Sequence, residues 1–129
     1  LACPYPDWLL RLAAAYWNEQ GYEIATAVSV RPEMGDTRAI YKASGADASR
    51  MISAAMTDIK VDAVVITGTG MPGLQAVCDL QDQLGVPVFN SNLALAWSCL
   101  SAASVPLNER SPGPGFPLLG GWEKEISKL

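Results

Sequence analysis

The chain of 129 residues is 50% hydrophobic and 17% charged, which predicts one folded domain with a sizeable core. Its formal net charge of −4 argues against a nucleic-acid-binding protein, and it has no apolar run of the roughly 18 residues that a membrane-spanning helix needs. Three cysteines at unrelated spacings and the lack of histidine exclude a disulfide framework and His-based metal or nucleophile sites within this chain, and they are typical of a cytoplasmic protein.

The hydrophobic pattern predicts strands that alternate with helices along the chain. After a shortened first strand, the predicted elements are a helix over residues 6–21, a strand over 22–30, a helix with Asp47 as its cap and apolar positions up to Ile59, a strand over 63–67, a helix over 72–85, a strand over 86–90 and a helix over 91–104 capped by Ser91 or Asn92. This alternation indicates an α/β fold with a parallel sheet of about four strands and helices on both faces. Trp8, Trp17 and Trp97 lie at helical spacing and are expected in the core.

The carboxyl ends of parallel strands meet at one edge of the sheet, where ligands of α/β proteins bind. Three segments follow predicted strands and are therefore expected at this edge, namely residues 3–5, 67–70 and 90–92. The tail holds four prolines and four glycines, which predicts an irregular arm. The domain is therefore expected over residues 1–103 and a C-terminal arm over 104–129.

Gly68, Gly70 and Gly73 follow a predicted strand in the order G-x-G-x-x-G, which is the pattern of a dinucleotide-binding turn. Such a site also needs an acidic residue at the end of the next strand, but that strand ends at Asn90, and Pro72 removes an amide hydrogen. The amides of this turn fit a carboxylate as well as a phosphate, and glycines that serve only a tight turn are the alternative. We therefore expect no nucleotide, no other cofactor and no metal.

Several short motifs, taken in order, resemble the second half of a known enzyme type. They are Pro-Tyr at residues 4–5, Gly-Tyr-Glu-Ile at 21–24, Met-Pro at 71–72, Leu-Gly-Val-Pro-Val at 84–88, and Ser-Asn at 91–92 followed by Trp97. This order and spacing resemble the maleate cis–trans isomerase and arylmalonate decarboxylase branch of the aspartate/glutamate racemase superfamily. The resemblance covers about residues 1–103.

The resemblance implies a cofactor-independent isomerase or decarboxylase of small carboxylic acids. Members consist of two similar three-layer, flavodoxin-like halves that face each other, and each half offers a cysteine on a strand-to-helix turn. Gly68 occupies the position of that cysteine, so the thiol is expected from an N-terminal half, and Gly68→Cys is expected to add a second acid or base. The residues implied in substrate binding are Tyr5, Thr67, Thr69, Gly70, Ser91 and Asn92, although Ser91 and Asn92 are also interpreted as helix caps.

The start of the chain is shorter than the first strand of the family half. We therefore expect that the chain is a C-terminal half that is inactive alone. Its expected partners are an N-terminal half of the same protein and a small carboxylic acid substrate. We expect it to bind neither nucleic acid nor a membrane, and a homo-oligomer is left open. Met71 and Pro72 slightly favour a maleate isomerase-like reaction over decarboxylation. The alternative of another class is a catalytically impaired dicarboxylate-binding or regulatory domain.

The cysteines and one charged loop have competing interpretations. Cys3 is interpreted as a core residue, with a displaced nucleophile as the alternative, and Cys78 and Cys99 are interpreted as packing residues. The loop over residues 31–38 is interpreted as charged surface, with a cation for a dianionic substrate as the alternative.

Overall fold

The computed structural model describes residues 1–31 and 37–104, and within them strands and helices alternate. The strands are β1 (Ala2–Cys3), β2 (Val28–Ser29), β3 (Val64–Ile66) and β4 (Val88–Asn90); the helices are α1 (Asp7–Glu19), α2 (Gly45–Ala55), α3 (Leu74–Leu84) and α4 (Ser91–Ala102), with a 3₁₀ helix at Thr37–Lys42. The predicted alternation is confirmed. Residues 105–129, which hold nearly all of the predicted arm, lie outside the described residues.

The four described strands form one sheet in the order β2-β1-β3-β4, and every neighbouring pair is parallel. Ala2 pairs with Val28 on one side and with Ile66 on the other, so the short first strand lies in the interior of the sheet. This topology confirms the three-layer α/β fold. It also places the carboxyl end of β1 directly beside that of β3.

The hydrophobic core joins the sheet to α2 and α3. One buried cluster contains Ile52 on α2, Val77 and Leu80 on α3, Val64 and Ile66 on β3, and Val88 on β4. Burying such branched side chains stabilises the fold by about 1.5–3 kcal/mol each. The ends of β1, β3 and β4 are therefore held by a packed layer beneath them.

Two helix caps differ from the prediction. Ser44, not Asp47, is the N-cap of α2, and Asp47 is the third helical residue, whose carboxylate accepts from the Ser44 N–H at 3.1 Å. At α4 the cap is Asn90, whose Oδ1 accepts from the Leu93 N–H at 2.8 Å, so Ser91 and Asn92 were wrongly predicted as caps. Both caps were predicted one to three residues too late in the chain, because several adjacent residues can serve as N-caps and the sequence does not show where the helical dihedrals begin.

The expected burial of two tryptophans was also wrong. Trp8 is 53% exposed and Trp97 is 41% exposed, whereas Trp17 is half-buried and packs edge-to-face on Tyr22 at a centroid distance of 5.2 Å. Cys99 on α4 is likewise exposed rather than packed. Helical spacing identifies an apolar stripe but not what covers it, and on α1 only Leu10 is buried.

Over residues 1–31 and 37–104, the helices are too short or too polar to cross a bilayer.

Candidate active site

Tyr5 and the turn at Gly68 lie together at the carboxyl edge of the sheet. The phenol oxygen of Tyr5 is 3.4 Å from the position that a Cβ on Gly68 would occupy. This proximity follows from the sheet order, because β1 and β3 are neighbours and Tyr5 and Gly68 each follow within two residues of the end of their strand. A hydroxyl donor and a glycine-rich turn therefore lie side by side at this edge.

The position of Tyr5 is fixed through its backbone. The hydroxyl of Ser29, at the end of β2, donates to the Tyr5 carbonyl at 2.7 Å. Burial raises the pKa of the Tyr5 phenol, and the neighbouring Cys3 adds to that rise. The phenol is therefore protonated at neutral pH and can donate a hydrogen bond to a substrate oxygen.

Cys3 lies beneath the edge rather than on it. Its side chain is 0% exposed, and burial raises the pKa of its thiol, against the opposing effect of the Tyr5 amide. A buried, neutral thiol is a poor nucleophile. The interpretation of Cys3 as a core residue therefore fits its position.

Gly68 has a backbone conformation that disfavours any side chain. Its φ is +99°, and a Cβ there would lie 2.7 Å from Cδ and 2.8 Å from Cγ of Pro4. Pro4 is itself fully buried. A cysteine at this position would require Pro4 to move, so the expected gain of a second acid or base in Gly68→Cys carries a structural cost that the sequence did not reveal.

The remaining residues of the turn are held by neighbouring elements. The Thr67 N–H donates to the Ala2 carbonyl at 2.8 Å, and its hydroxyl is 3.4 Å from the same oxygen, so Thr67 mainly closes the sheet. Thr69 is exposed, and its carbonyl accepts from Asn92 Nδ2 at 3.2 Å. Gly70 packs so closely on the 3₁₀ helix that a Cβ would lie 2.7 Å from Ile40 Cδ1.

The three residues at the start of α4 that were expected at the edge, residues 90–92, differ in their exposure. Asn92 is exposed and links α4 to the turn, while Ser91 is half-buried. Asn90 is only 6% exposed. Its capping role and burial were missed, although its position at the junction of a strand and a helix is where capping asparagines occur.

Arg31, at the start of the charged loop, lies beside Asp47. Arg31 Nη1 lies 3.4 Å from the Lys42 carbonyl and 3.7 Å from a carboxylate oxygen of Asp47. This charge therefore partly offsets that of Asp47. Residues 32–36 of the loop lie outside the described residues.

Metal ligands are not grouped in the part of the chain that the structure describes, where no three His, Cys, Asp or Glu side chains could hold an ion together. The absence of a metal and of a cofactor stays a prediction. What the edge offers is the Tyr5 hydroxyl, a hydrogen-bond donor that suits an anionic substrate group.

Comparison with known proteins supports this chemistry. A family model described as arylmalonate decarboxylase matches residues 1–116, while no curated protein matches the chain significantly. The match extends past residue 103, and the predicted domain boundary there stays a prediction. The family match confirms the resemblance seen in the motifs. The protein belongs to the arylmalonate decarboxylase family, which points to decarboxylation or isomerisation of small carboxylic acids.

Proposed function

We propose that the protein is a cofactor-independent decarboxylase or isomerase of small carboxylic or dicarboxylic acids, in which this chain binds a carboxylate and an N-terminal half supplies a cysteine thiol. The observation that carries the proposal is the Tyr5 hydroxyl beside the Gly68 turn, in a chain of this family. The family match favours decarboxylation of an arylmalonate, and the Met-Pro motif favours isomerisation of maleate.

The carboxylate would lie between Tyr5 and the turn. The Tyr5 hydroxyl and the amides of Thr69 and Gly70 donate to its oxygens. In decarboxylation the bond between the α-carbon and the departing carboxyl group breaks, CO₂ leaves, and the electron pair passes into the retained carboxylate as an enediolate. Donors placed before the reaction stabilise this developing charge, and removing one such donor typically costs about 10²–10³-fold in rate.

The thiol completes either reaction. In decarboxylation it gives its proton to the α-carbon of the enediolate. In maleate isomerisation a thiolate adds to one alkene carbon, the resulting single bond rotates, and the thiolate leaves with formation of fumarate. Within this chain Gly68 has no side chain and Cys3 is buried with a raised pKa, so we assign the thiol to the N-terminal half.

A second candidate function rests on Gly68 itself. Because the family's cysteine is replaced at this position, the protein can instead be a relative that binds a dicarboxylate without converting it. Its carboxylate-binding residues would be the same. The two functions differ only in turnover.

The discriminating experiment uses the intact gene product, with phenylmalonate and maleate as probes. ¹H NMR follows the formation of phenylacetate or fumarate, and calorimetry measures binding of the same compounds. Turnover of either probe supports the enzyme, while binding without turnover supports the sensor. If the protein neither converts nor binds these compounds, both proposed functions are contradicted.

A further inference from the structure

A cavity lies beside the end of β4, among the first turns of α2, α3 and α4. Its volume is about 660 Å³, within the range of small-molecule sites. The lining is mainly apolar and includes Pro72, Leu74, Leu93 and Ala96, with the three amide side chains of Gln75, Asn90 and Asn92. It carries no charged side chain among its lining residues.

Asn90 brings a hydrogen-bond donor to this cavity. The orientation of its amide is set by the Leu93 N–H, which donates at 2.8 Å and therefore requires the oxygen on that side. The nitrogen Nδ2 is thus at the other end, 3.2 Å from where a Cβ on Gly73 would stand. Among the described residues this side chain makes only the bond to Leu93, although it is 6% exposed. The Nδ2 donor is therefore available to a molecule bound in the cavity.

The first turn of α3 provides a second, independent set of donors. No side chain caps this helix, and its first turn contains no acidic residue. The Gln75 side chain, which also borders the cavity, instead donates to Asp79 at 2.8 Å. The leading amides of α3 and its positive dipole end therefore remain uncompensated where Gly73 and Leu74 border the cavity.

We propose that this cavity binds a monocarboxylate with an apolar body, at a site whose lining includes neither Tyr5 nor residues 67–70. The carboxylate oxygens accept from Asn90 Nδ2 and from the leading amides of α3, and the apolar body packs against Leu74, Leu93 and Ala96. One carboxylate fits better than two, because the lining residues include no arginine or lysine to balance a second charge. This site goes beyond the proposed function, since it uses neither Tyr5 nor a thiol.

The test is an NMR titration of the ¹⁵N-labelled chain with sodium hexanoate, and with 1-hexanol as the uncharged probe. We expect the side-chain NH₂ signals of Asn90 to shift with hexanoate and to shift far less with hexanol. Asn90→Asp keeps the acceptor for Leu93 but replaces the donor by a negative charge, so hexanoate affinity should fall at least about tenfold. Gly73→Ala should act similarly, because its methyl group would stand over Nδ2 while its φ of −115° suits alanine.

Asn18→Asp is the matched control, since it makes the same charge change at an asparagine whose Oδ1 accepts from the Ile24 N–H at 3.0 Å. It should bind hexanoate as the unmodified chain does, and so should Tyr5→Phe, which separates this site from the proposed active site. Unmoved Asn90 signals, equal affinity for hexanol, or unchanged affinity in both Asn90→Asp and Gly73→Ala would overturn the proposal.

Discussion

Replacing Gly68 by alanine tests whether the turn at the candidate site is as constrained as its geometry indicates. The new Cβ meets two separate obstacles. Its backbone φ of +99° is one that side-chain-bearing residues rarely adopt, which costs about 1–3 kcal/mol. The methyl group would also lie 2.7 Å from Cδ of the buried Pro4, and overpacking of this kind costs about 1–3 kcal/mol. The sum is about 2–6 kcal/mol of unfolding free energy.

Two other glycines separate the obstacles. Gly21 and Gly85 also have positive φ, at +90° and +65°, but a Cβ at either meets nothing within 4 Å. Gly21→Ala and Gly85→Ala should therefore show the backbone cost alone. Urea unfolding followed by far-ultraviolet circular dichroism gives the three free energies, and the excess in Gly68→Ala measures the contact with Pro4.

A double mutant checks the assigned contact. Pro4→Ala removes the ring atoms that the methyl group would strike, so adding Gly68→Ala should cost less in that background than in the unmodified protein. The reasoning is refuted if Gly68→Ala lowers the unfolding free energy no more than Gly21→Ala does, or if Pro4→Ala does not reduce the cost of Gly68→Ala. Either result would mean that the turn relaxes freely around the new side chain. A cysteine would then be accepted at Gly68 without difficulty.

Three further predictions concern the α2 cap and the cysteines. Ser44→Ala should lower the unfolding free energy by about 1 kcal/mol through loss of the α2 cap, as measured by urea unfolding. Hydrogen bonds from Ser44 hold the pKa of Asp47 below 3.8, so the stability that Asp47 contributes is fully present above pH 3.8 and is lost as the pH falls through the lower pKa of the folded state. Asp47→Asn should therefore be less stable than the unmodified protein at pH 7, and the two free energies of unfolding should converge in acid. A constant difference at all pH values would contradict this prediction. Cys99 is exposed and Cys3 is buried with a raised pKa, so mass spectrometry after brief alkylation at pH 7.5 should find Cys99 labelled and Cys3 unlabelled until the protein unfolds; early labelling of Cys3 would show that the edge opens.

The fold could be predicted because its strands and helices carry strong, different periodicities. Val64–Ile66 lies within a continuous apolar run and Val88–Asn90 begins in one, as is typical of buried parallel strands, and apolar residues recur at helical spacing in the segment between them. Strand order was not predictable from periodicity, because it depends on which crossovers pack together. The exposure of Trp8 and Trp97 shows the same limit, since an apolar stripe does not specify what covers it.

The site was predictable as far as chain topology determines it. Tyr5 and Gly68 each follow a strand of a parallel sheet, so their common edge could be inferred, while their closeness required β1 and β3 to be neighbours. The obstruction by Pro4 and the burial of Asn90 depend on side-chain packing between segments far apart in sequence. No local pattern contains that information.

The central claim is that the Tyr5 hydroxyl and the Gly68 turn bind the reacting carboxylate. Its most direct measurement is the kcat of the intact protein for phenylmalonate or maleate in Tyr5→Phe, compared with Tyr16→Phe, which removes a hydroxyl from an exposed position on α1. We predict a loss of about 10²-fold or more in kcat for Tyr5→Phe and none for Tyr16→Phe, with unfolding free energies close to that of the unmodified protein. Equal kcat values for Tyr5→Phe and Tyr16→Phe in a protein that turns over either compound would contradict the claim.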